Sequence, residues 1–338
     1  MAITVSYPIN SDLQQVAQDK LPNLMANRPI FSILPVRNVD ADVVMWDQED
    51  NYTGLQQIRG LNGQPQRVKR IGGKRYLMQP GVYGEFSVID EVEITRRRGY
   101  GSFNGAIPID DLVMKCQDHL LGRRLDRIEK IGWDLLTTGT FSVAGPDGIT
   151  YQTDTFSLQT FAAGTAWSTA ATSTPLADFR AVQLLSRGHS VNFGANAKAY
   201  MNRVTFNNLI KNTNSADLGG KRTAGLAAVN DINSANTILA GEDLPQIVIF
   251  DGGYQDDSNT FQPFIANAKV VVVGTRTDGA NIGEYQMTRN ANNVGAAAGA
   301  YMKVVDDLSR VPRLIEVHDG HNGGPAIFFP SAIVVMSV

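Results

Sequence analysis

Residues 36–80 constrain this chain more than any other stretch, because they read as a two-armed β-extension with too little apolar surface to fold alone. On the outgoing arm Val39, Ala41, Val43 and Met45 alternate with Asn38, Asp40, Asp42 and Val44, the period-two pattern of a strand. The returning arm runs from about Arg67 to Met78. Between the arms, NYTGLQQIRGLNGQP spreads Gly54, Gly60, Gly63 and Pro65 through a polar tip that breaks regular pairing. An arm of about 12 residues at roughly 3.3 Å per residue reaches roughly 40 Å, and an isolated two-stranded ribbon is marginal in water. Such an extension must lie on something else.

Its charges differ in sign from side to side. The outgoing side carries Asp40, Asp42, Asp47, Glu49 and Asp50; the returning side carries Arg67, Lys69, Arg70, Lys74 and Arg75. Cross-strand pairing within the ribbon accounts for this pattern, and so does complementarity between neighbouring copies, which sets register more than affinity. Charge sign alone leaves both readings open, and all ten residues are candidates for contact between subunits.

A chain of 338 residues with 43% hydrophobic content can bury a core as one large or two to three modest domains. A formal net charge of −3 argues against a dedicated nucleic-acid binder, whose footprint is a basic domain. The single cysteine, Cys116, excludes an intrachain disulfide and fits a reducing compartment. No signal peptide is visible before Pro8. The most apolar run, 326–338, contains Pro330 and falls short of the roughly 20 residues that cross a bilayer, so no membrane partner is expected.

Along the chain, Ser11 and Gln14 fit a capping box ahead of Leu13, Val16 and Ala17, with Pro22 limiting a short helix in an N-terminal arm. Val82, Phe86, Val88, Val92 and Ile94 suggest strands, and Arg96 to Arg98 are balanced by Asp90, Glu91 and Glu93. Residues 109–136 are the strongest helix: Leu112, Val113, Cys116, Leu120, Leu121, Leu125, Ile128 and Leu135 recur mostly at three- and four-residue steps, Asp110 and Asp111 suit its start and Gly139 its end. A hairpin is expected around GPDG at 145–148, and AAGTAWSTAATST at 162–174 reads as a linker. Thr174 and Pro175 open a helix closed by Gly188, a further helix is expected over 197–211, and IVIF at 247–250 and KVVVV at 269–273 read as buried strands.

Catalytic chemistry is sparse. Gly219, Gly220 and Lys221 lack phosphate-loop spacing, and no GxSxG, HExxH or GxGxxG run occurs. Asp251, Asp256, Asp257 and Asn259 do not match a calcium loop and read as a polar hairpin tip. Glu316, His318, Asp319 and His321, in the expected loop HDGHNGGP, are the most ligand-like group, yet a metal site needs a third and fourth ligand at defined geometry. No nucleophile with a partner set is found, and the expectation is no enzyme, no metal and no cofactor.

Two stretches carry a family likeness. RIGGKRYLMQPGVYGEF, with its arginine, paired glycines and later Pro-Gly, and IVIFDGGYQDDSNTFQPFIANAKVVVVG, with its strand, Gly-x-Tyr turn, Phe-x-Pro and second strand, resemble the major capsid proteins of tailed bacteriophages, in particular the lambda-type major capsid protein E family. The histidine- and glycine-rich VHDGHNGGPAIFFP departs from that pattern. The resemblance implies an α+β fold of the tailed-phage major capsid (Johnson) type. It implies an N-terminal arm at 1–35, an extended β-loop at 36–80, a peripheral domain at 81–165 with its spine helix at 109–136, an axial domain at 166–294, and a C-terminal return to the peripheral domain at 295–338.

It further implies self-assembly as pentamers and hexamers into an icosahedral head around double-stranded DNA, built in the host bacterial cytoplasm. Scaffolding, portal and decoration proteins are the implied partners, with packaged DNA touched weakly and without specificity. Two alternatives stand beside this: a nanocompartment shell of the same fold enclosing enzyme cargo, and a metal-dependent enzyme using Glu316, His318, Asp319 and His321.

Overall fold

The computed structural model describes residues 20–49, 55–68, 72–96, 98, 105, 107–145, 149–211, 231–256, 258–306 and 311–338. The expected helix around Ser11, the tip of the GPDG hairpin and Gly219 to Lys221 lie outside them. The chain divides into two compact units, Met1–Val44 with Met78–Ile131 and Tyr285–Pro325, and Met45–Leu77 with Gly132–Glu284 and Ala326–Val338.

In the first unit the 14-residue strand Leu314–Ile327 is the centre of a five-stranded sheet. It pairs antiparallel with Gly81–Asp90, Ile315 opposite Ile89, and antiparallel with Tyr301–Asp306, Val317 opposite Val304. Val36–Asn38 joins in parallel to Gly283–Met287. Alternation sends Ile89, Ile315 and Val317 to one face, where they form a single buried cluster with Leu112, Val113 and Leu120 of the helix Ile109–Thr138. Burying each such side chain contributes roughly 1.5–3 kcal/mol, so the helix is held by its apolar stripe against the sheet. Cys116 lies beside this cluster as a half-buried small side chain, and His119 is exposed.

The helix runs for 30 residues, about 45 Å at ~1.5 Å per residue. Asp110 and Asp111 occupy its first turn, and it ends where Gly139 turns to φ +70° and donates its amide to the Leu135 carbonyl at 2.8 Å.

Three expectations for this unit change. The outgoing arm is not one strand over 39–45: Val36–Asn38 belongs to the sheet, residues 40–43 bend, and a new strand begins at Val44. Strand Gly81–Asp90 stops short of Val92 and Ile94, which lie in a helix, Glu91–Arg96, because the Asp90 carboxylate accepts the Glu93 amide at 2.7 Å and caps a turn. HDGHNGGP is not a loop but the middle of the central strand. Its glycines answer to packing: a Cβ on Gly320 would stand 2.5 Å from the Tyr83 carbonyl oxygen and 2.7 Å from the Tyr301 hydroxyl.

The second unit is built on a sheet ordered Gln246–Ile249, Lys198–Met201, Lys269–Val273, Ile333–Ser337 and Gln159–Ala162. Val270, Val271 and Val272 are fully buried, the continuous apolar pattern of a strand covered on both faces. The helix expected over 197–211 is a strand followed by a shorter helix, Arg203–Lys211. Residues 198–201 are held between two strands, and Asn202 resets the chain by accepting the Thr205 amide at 2.8 Å.

Residues 162–174, read as a linker, lie within the second unit, mostly exposed but anchored by Trp167 and Ser173. Trp167 is 1% exposed and its indole nitrogen donates to Asp178 at 2.8 Å. The helix after Thr174 spans Pro175–Leu184, Gly188 adopts φ +84°, and Thr140–Ala144 pairs with Thr150–Thr155 as a hairpin. The final strand, Ile333–Ser337, lies in this second sheet, whereas the sequence reading returns all of 295–338 to the first domain.

Candidate assembly surface

The ribbon begins at Val44–Glu49, which pairs with Gly73–Met78. Its root is aromatic: Trp46, 7% exposed, is stacked between Tyr76 and Phe156 with ring centroids 5.4 and 5.5 Å away. Large rings that bury one face each fix the root at little cost in side-chain freedom. Beyond it the ribbon loses burial, and in residues 55–68 Leu55 is 94%, Ile58 98% and Leu61 98% exposed. The tip turns at Gly60, whose carbonyl accepts the amides of Asn62 and Gly63 at 3.1 and 2.9 Å.

The ten charged candidates separate into groups. Arg75 donates to Asp47 at 2.7 and 3.0 Å across the two strands, and this hydrogen bond lowers the Asp47 pKa and raises that of Arg75. Arg289 donates to Asp40 at 2.5 and 3.0 Å, holding the Asp40 carboxyl below its usual range. The same residue ties the bend at 40–43 through its amide, which donates to the Ala41 carbonyl at 3.0 Å. Asp42, Arg67 and Lys74 are exposed, and the Asp42 charge adds to that of Asp40 in raising the Arg289 pKa. Asp50, Lys69, Arg70 and the Glu49 side chain lie outside the described residues.

Charge marks the arms in the sequence, yet the tip's three apolar side chains are among the most exposed large hydrophobic residues of the described chain. The signal was present as Leu55, Ile58 and Leu61 at three-residue spacing in a polar run.

The histidine group does not converge. In a strand, alternate residues face opposite ways, so Glu316 and His318 share one face while Asp319 and His321 share the other. His318 bonds Glu316 at 3.0 Å on the more open face. On the buried face Arg124 pairs with Asp319 at 2.5 Å, and the His321 ring, 1% exposed, meets the Tyr285 hydroxyl at 3.1 Å and stacks on Tyr83. Burial, with Arg124 and Arg127 nearby, pushes the His321 pKa down to about 3, which keeps the ring neutral. Among the described residues no cluster of three or more ligand-type side chains is placed to hold a metal ion. The Asp251 and Asp256 carboxylates serve local backbone: Asp251 accepts the Arg203 amide at 2.6 Å, and Asp256 accepts those of Ser258 and Thr260. No helix among the described residues is long and apolar enough to cross a membrane.

Comparison with known proteins gives a family and a fold. A family model described as phage major capsid protein E matches residues 15–309. No curated protein matches the chain. Among solved structures, a prophage protein from E. coli CFT073 assigned as a capsid protein is similar at 14% identity over 97% of this chain and 99% of its own, with a TM-score of 0.59. A phage-related protein from Bordetella bronchiseptica RB50 is similar at 10% identity over 96% of each chain, with a TM-score of 0.57.

Proposed function

The chain belongs to the phage major capsid protein E family, and from that membership we propose that it is the repeating shell subunit of an icosahedral phage head, assembling as pentamers and hexamers around double-stranded DNA. The observation that carries the mechanism is the ribbon, stacked at its root on Trp46 and bare at its tip, where Leu55, Ile58 and Leu61 are almost wholly exposed among the described residues. Docking of that tip on an adjacent subunit supplies apolar burial, while exposed charges such as Asp42, Arg67 and Lys74 set register. Many weak contacts suit a lattice, because wrongly placed subunits must be able to leave.

In this reading residues 1–35 are the arm, 36–80 the extended loop apart from Val36–Asn38, which joins the first sheet, 81–165 the peripheral domain, 166–294 the axial domain and 295–338 the return apart from the final strand, which joins the second sheet, and the Ile109–Thr138 helix is the stiff platform on which neighbours bear. The family is structural, which favours a genome-enclosing shell over an enzyme and over a cargo compartment. Scaffolding, portal and decoration proteins would act on this lattice, assembly would take place in the host cytoplasm, and contact with packaged DNA would be weak at a net charge of −3.

Deleting residues 49–65 tests the ribbon's role. The expected product is a folded subunit, by circular dichroism and cooperative melting, that forms no particles in electron micrographs. Particles of normal size from that deletion would remove the role assigned to the ribbon.

A further inference from the structure

We propose that Asn62 and Gly63, at the tip of the ribbon, are a site of spontaneous backbone modification, where asparagine closes to a succinimide and reopens as aspartate or isoaspartate. The inference concerns the single chain and does not rest on the shell reading above.

The chemistry needs an asparagine whose side-chain carbonyl carbon is within reach of the next main-chain nitrogen. Glycine in the next position leaves that nitrogen open to approach, because it carries no Cβ. The Gly63 nitrogen attacks the Asn62 Cγ: the N–Cγ bond forms, the Cγ–Nδ2 bond breaks, and the proton on the attacking nitrogen leaves with Nδ2 as ammonia. Water then opens the five-membered imide at either carbonyl. One opening gives aspartate; the other routes the main chain through the side-chain carbon and gives isoaspartate. No oxidant, cofactor or second protein is required.

Asparagine precedes glycine at three places, 62–63, 104–105 and 322–323. Asn104 lies outside the described residues, and the structure separates the other two. Asn322 sits in the central strand Leu314–Ile327, where its side chain donates to the Arg289 carbonyl at 2.9 Å and accepts from the Asn290 side-chain amide at 3.1 Å. A Cβ on Gly323 would stand 2.6 Å from the Gln286 carbonyl oxygen, so neighbouring backbone hems this peptide in.

Asn62 differs in each respect. It is exposed, and its side chain forms no hydrogen bond among the described residues. What restrains the reacting nitrogen is a single carbonyl: the Gly60 oxygen accepts the Gly63 amide at 2.9 Å and the Asn62 amide at 3.1 Å, with a long bond of 3.3 Å from Arg59 to the Gly63 carbonyl beside it. One exposed hydrogen bond of this kind holds a turn closed by about a factor of ten at most. Folding therefore slows the reaction little at Asn62, whereas Asn322 must wait for the central strand to open.

The product changes the tip. Residues 55–68 carry Arg59 and Arg67 and no acid, so the new carboxylate is the first negative charge in the segment, and isoaspartate adds a carbon to the main chain of the turn.

The test uses full-length subunits separated from any particles by size exclusion. They are held at pH 8, folded or in guanidinium chloride, then digested briefly with trypsin and mapped by mass spectrometry. Cleavage after Arg59 and Arg67 releases 60–67 with Asn62 as its one asparagine, and cleavage after Arg313 releases 314–338 with Asn322 as its one asparagine. In the folded protein, replacement of NH2 by OH at Asn62, as both aspartate and isoaspartate, is expected within about tenfold of the rate in denaturant. Asn322 is expected to convert only in denaturant. Gly63→Ala should slow the Asn62 reaction several-fold in both states. A folded protein in which Asn62 is as inert as Asn322, or one that yields aspartate without isoaspartate, would overturn the proposal.

Discussion

Arg124 donates to Asp319 at 2.5 Å between the long helix and the central strand of the first unit, with the two side chains 11% and 4% exposed. Burial lowers the Arg124 pKa and raises that of Asp319, so desolvation outweighs the attraction the pair gains. Such a pair specifies position more than it adds stability. Arg124→Met, which strands the carboxylate, is expected to cost about 3–5 kcal/mol in urea denaturation of a non-assembling subunit. Adding Asp319→Leu should recover most of that loss; a double variant no better than the single one would show that the pair is net stabilising.

His321 makes stability depend on pH in a stated direction. In the unfolded chain its imidazole titrates near 6.5, but the buried ring takes no proton until about pH 3. Its contribution is therefore fully present above pH 6.5 and is lost as the pH falls toward 3, at about 1.4 kcal/mol per pH unit. Between pH 7 and pH 5 the wild type should lose about 2 kcal/mol more than His321→Gln, read from urea midpoints at the two pH values. Equal losses would place the ring in solvent.

In the second unit, Asp178 is raised by burial and partly relieved by the Trp167 indole. Trp167→Phe keeps most of the packing and removes the donor, so a loss of about 1–3 kcal/mol is expected from the unsatisfied carboxyl group. Asp178→Asn in the same background should restore part of it. Thermal melts of the three proteins at pH 7 check both.

Gly139 ends the long helix at φ +70°, where a Cβ would meet the Phe156 carbonyl oxygen at 2.8 Å. Gly139→Ala is expected to lower stability by at least ~1 kcal/mol, from the left-handed backbone alone. A melting temperature unchanged from wild type would contradict this C-cap geometry.

The parts of the fold that sequence reasoning reached are those where one period dominates. The helix over 109–136 was legible because its stripe is long, and Val270 to Val273 because an unbroken apolar run has few other uses. Lys198–Met201 was not, because four residues before a true helix carry too little pattern to separate period two from period 3.6. Gly320 and Gly323 read as turn residues because glycine serves both turns and close backbone approach, and only tertiary contacts distinguish them. Trp167, in a run of alanine, serine and threonine, was hidden because its burial depends on Asp178 and Phe179 eleven and twelve positions later. On the ribbon, charge signs were visible but pairing was not. Asp40 finds Arg289, a partner 249 positions away that no local pattern could indicate.

The central claim is that this polypeptide completes its burial only among copies of itself. Negative-stain imaging of the purified full-length protein tests it most directly. Closed shells of uniform diameter are the expected result. A population of lone subunits that stays monomeric by light scattering across protein concentration and ionic strength would contradict it.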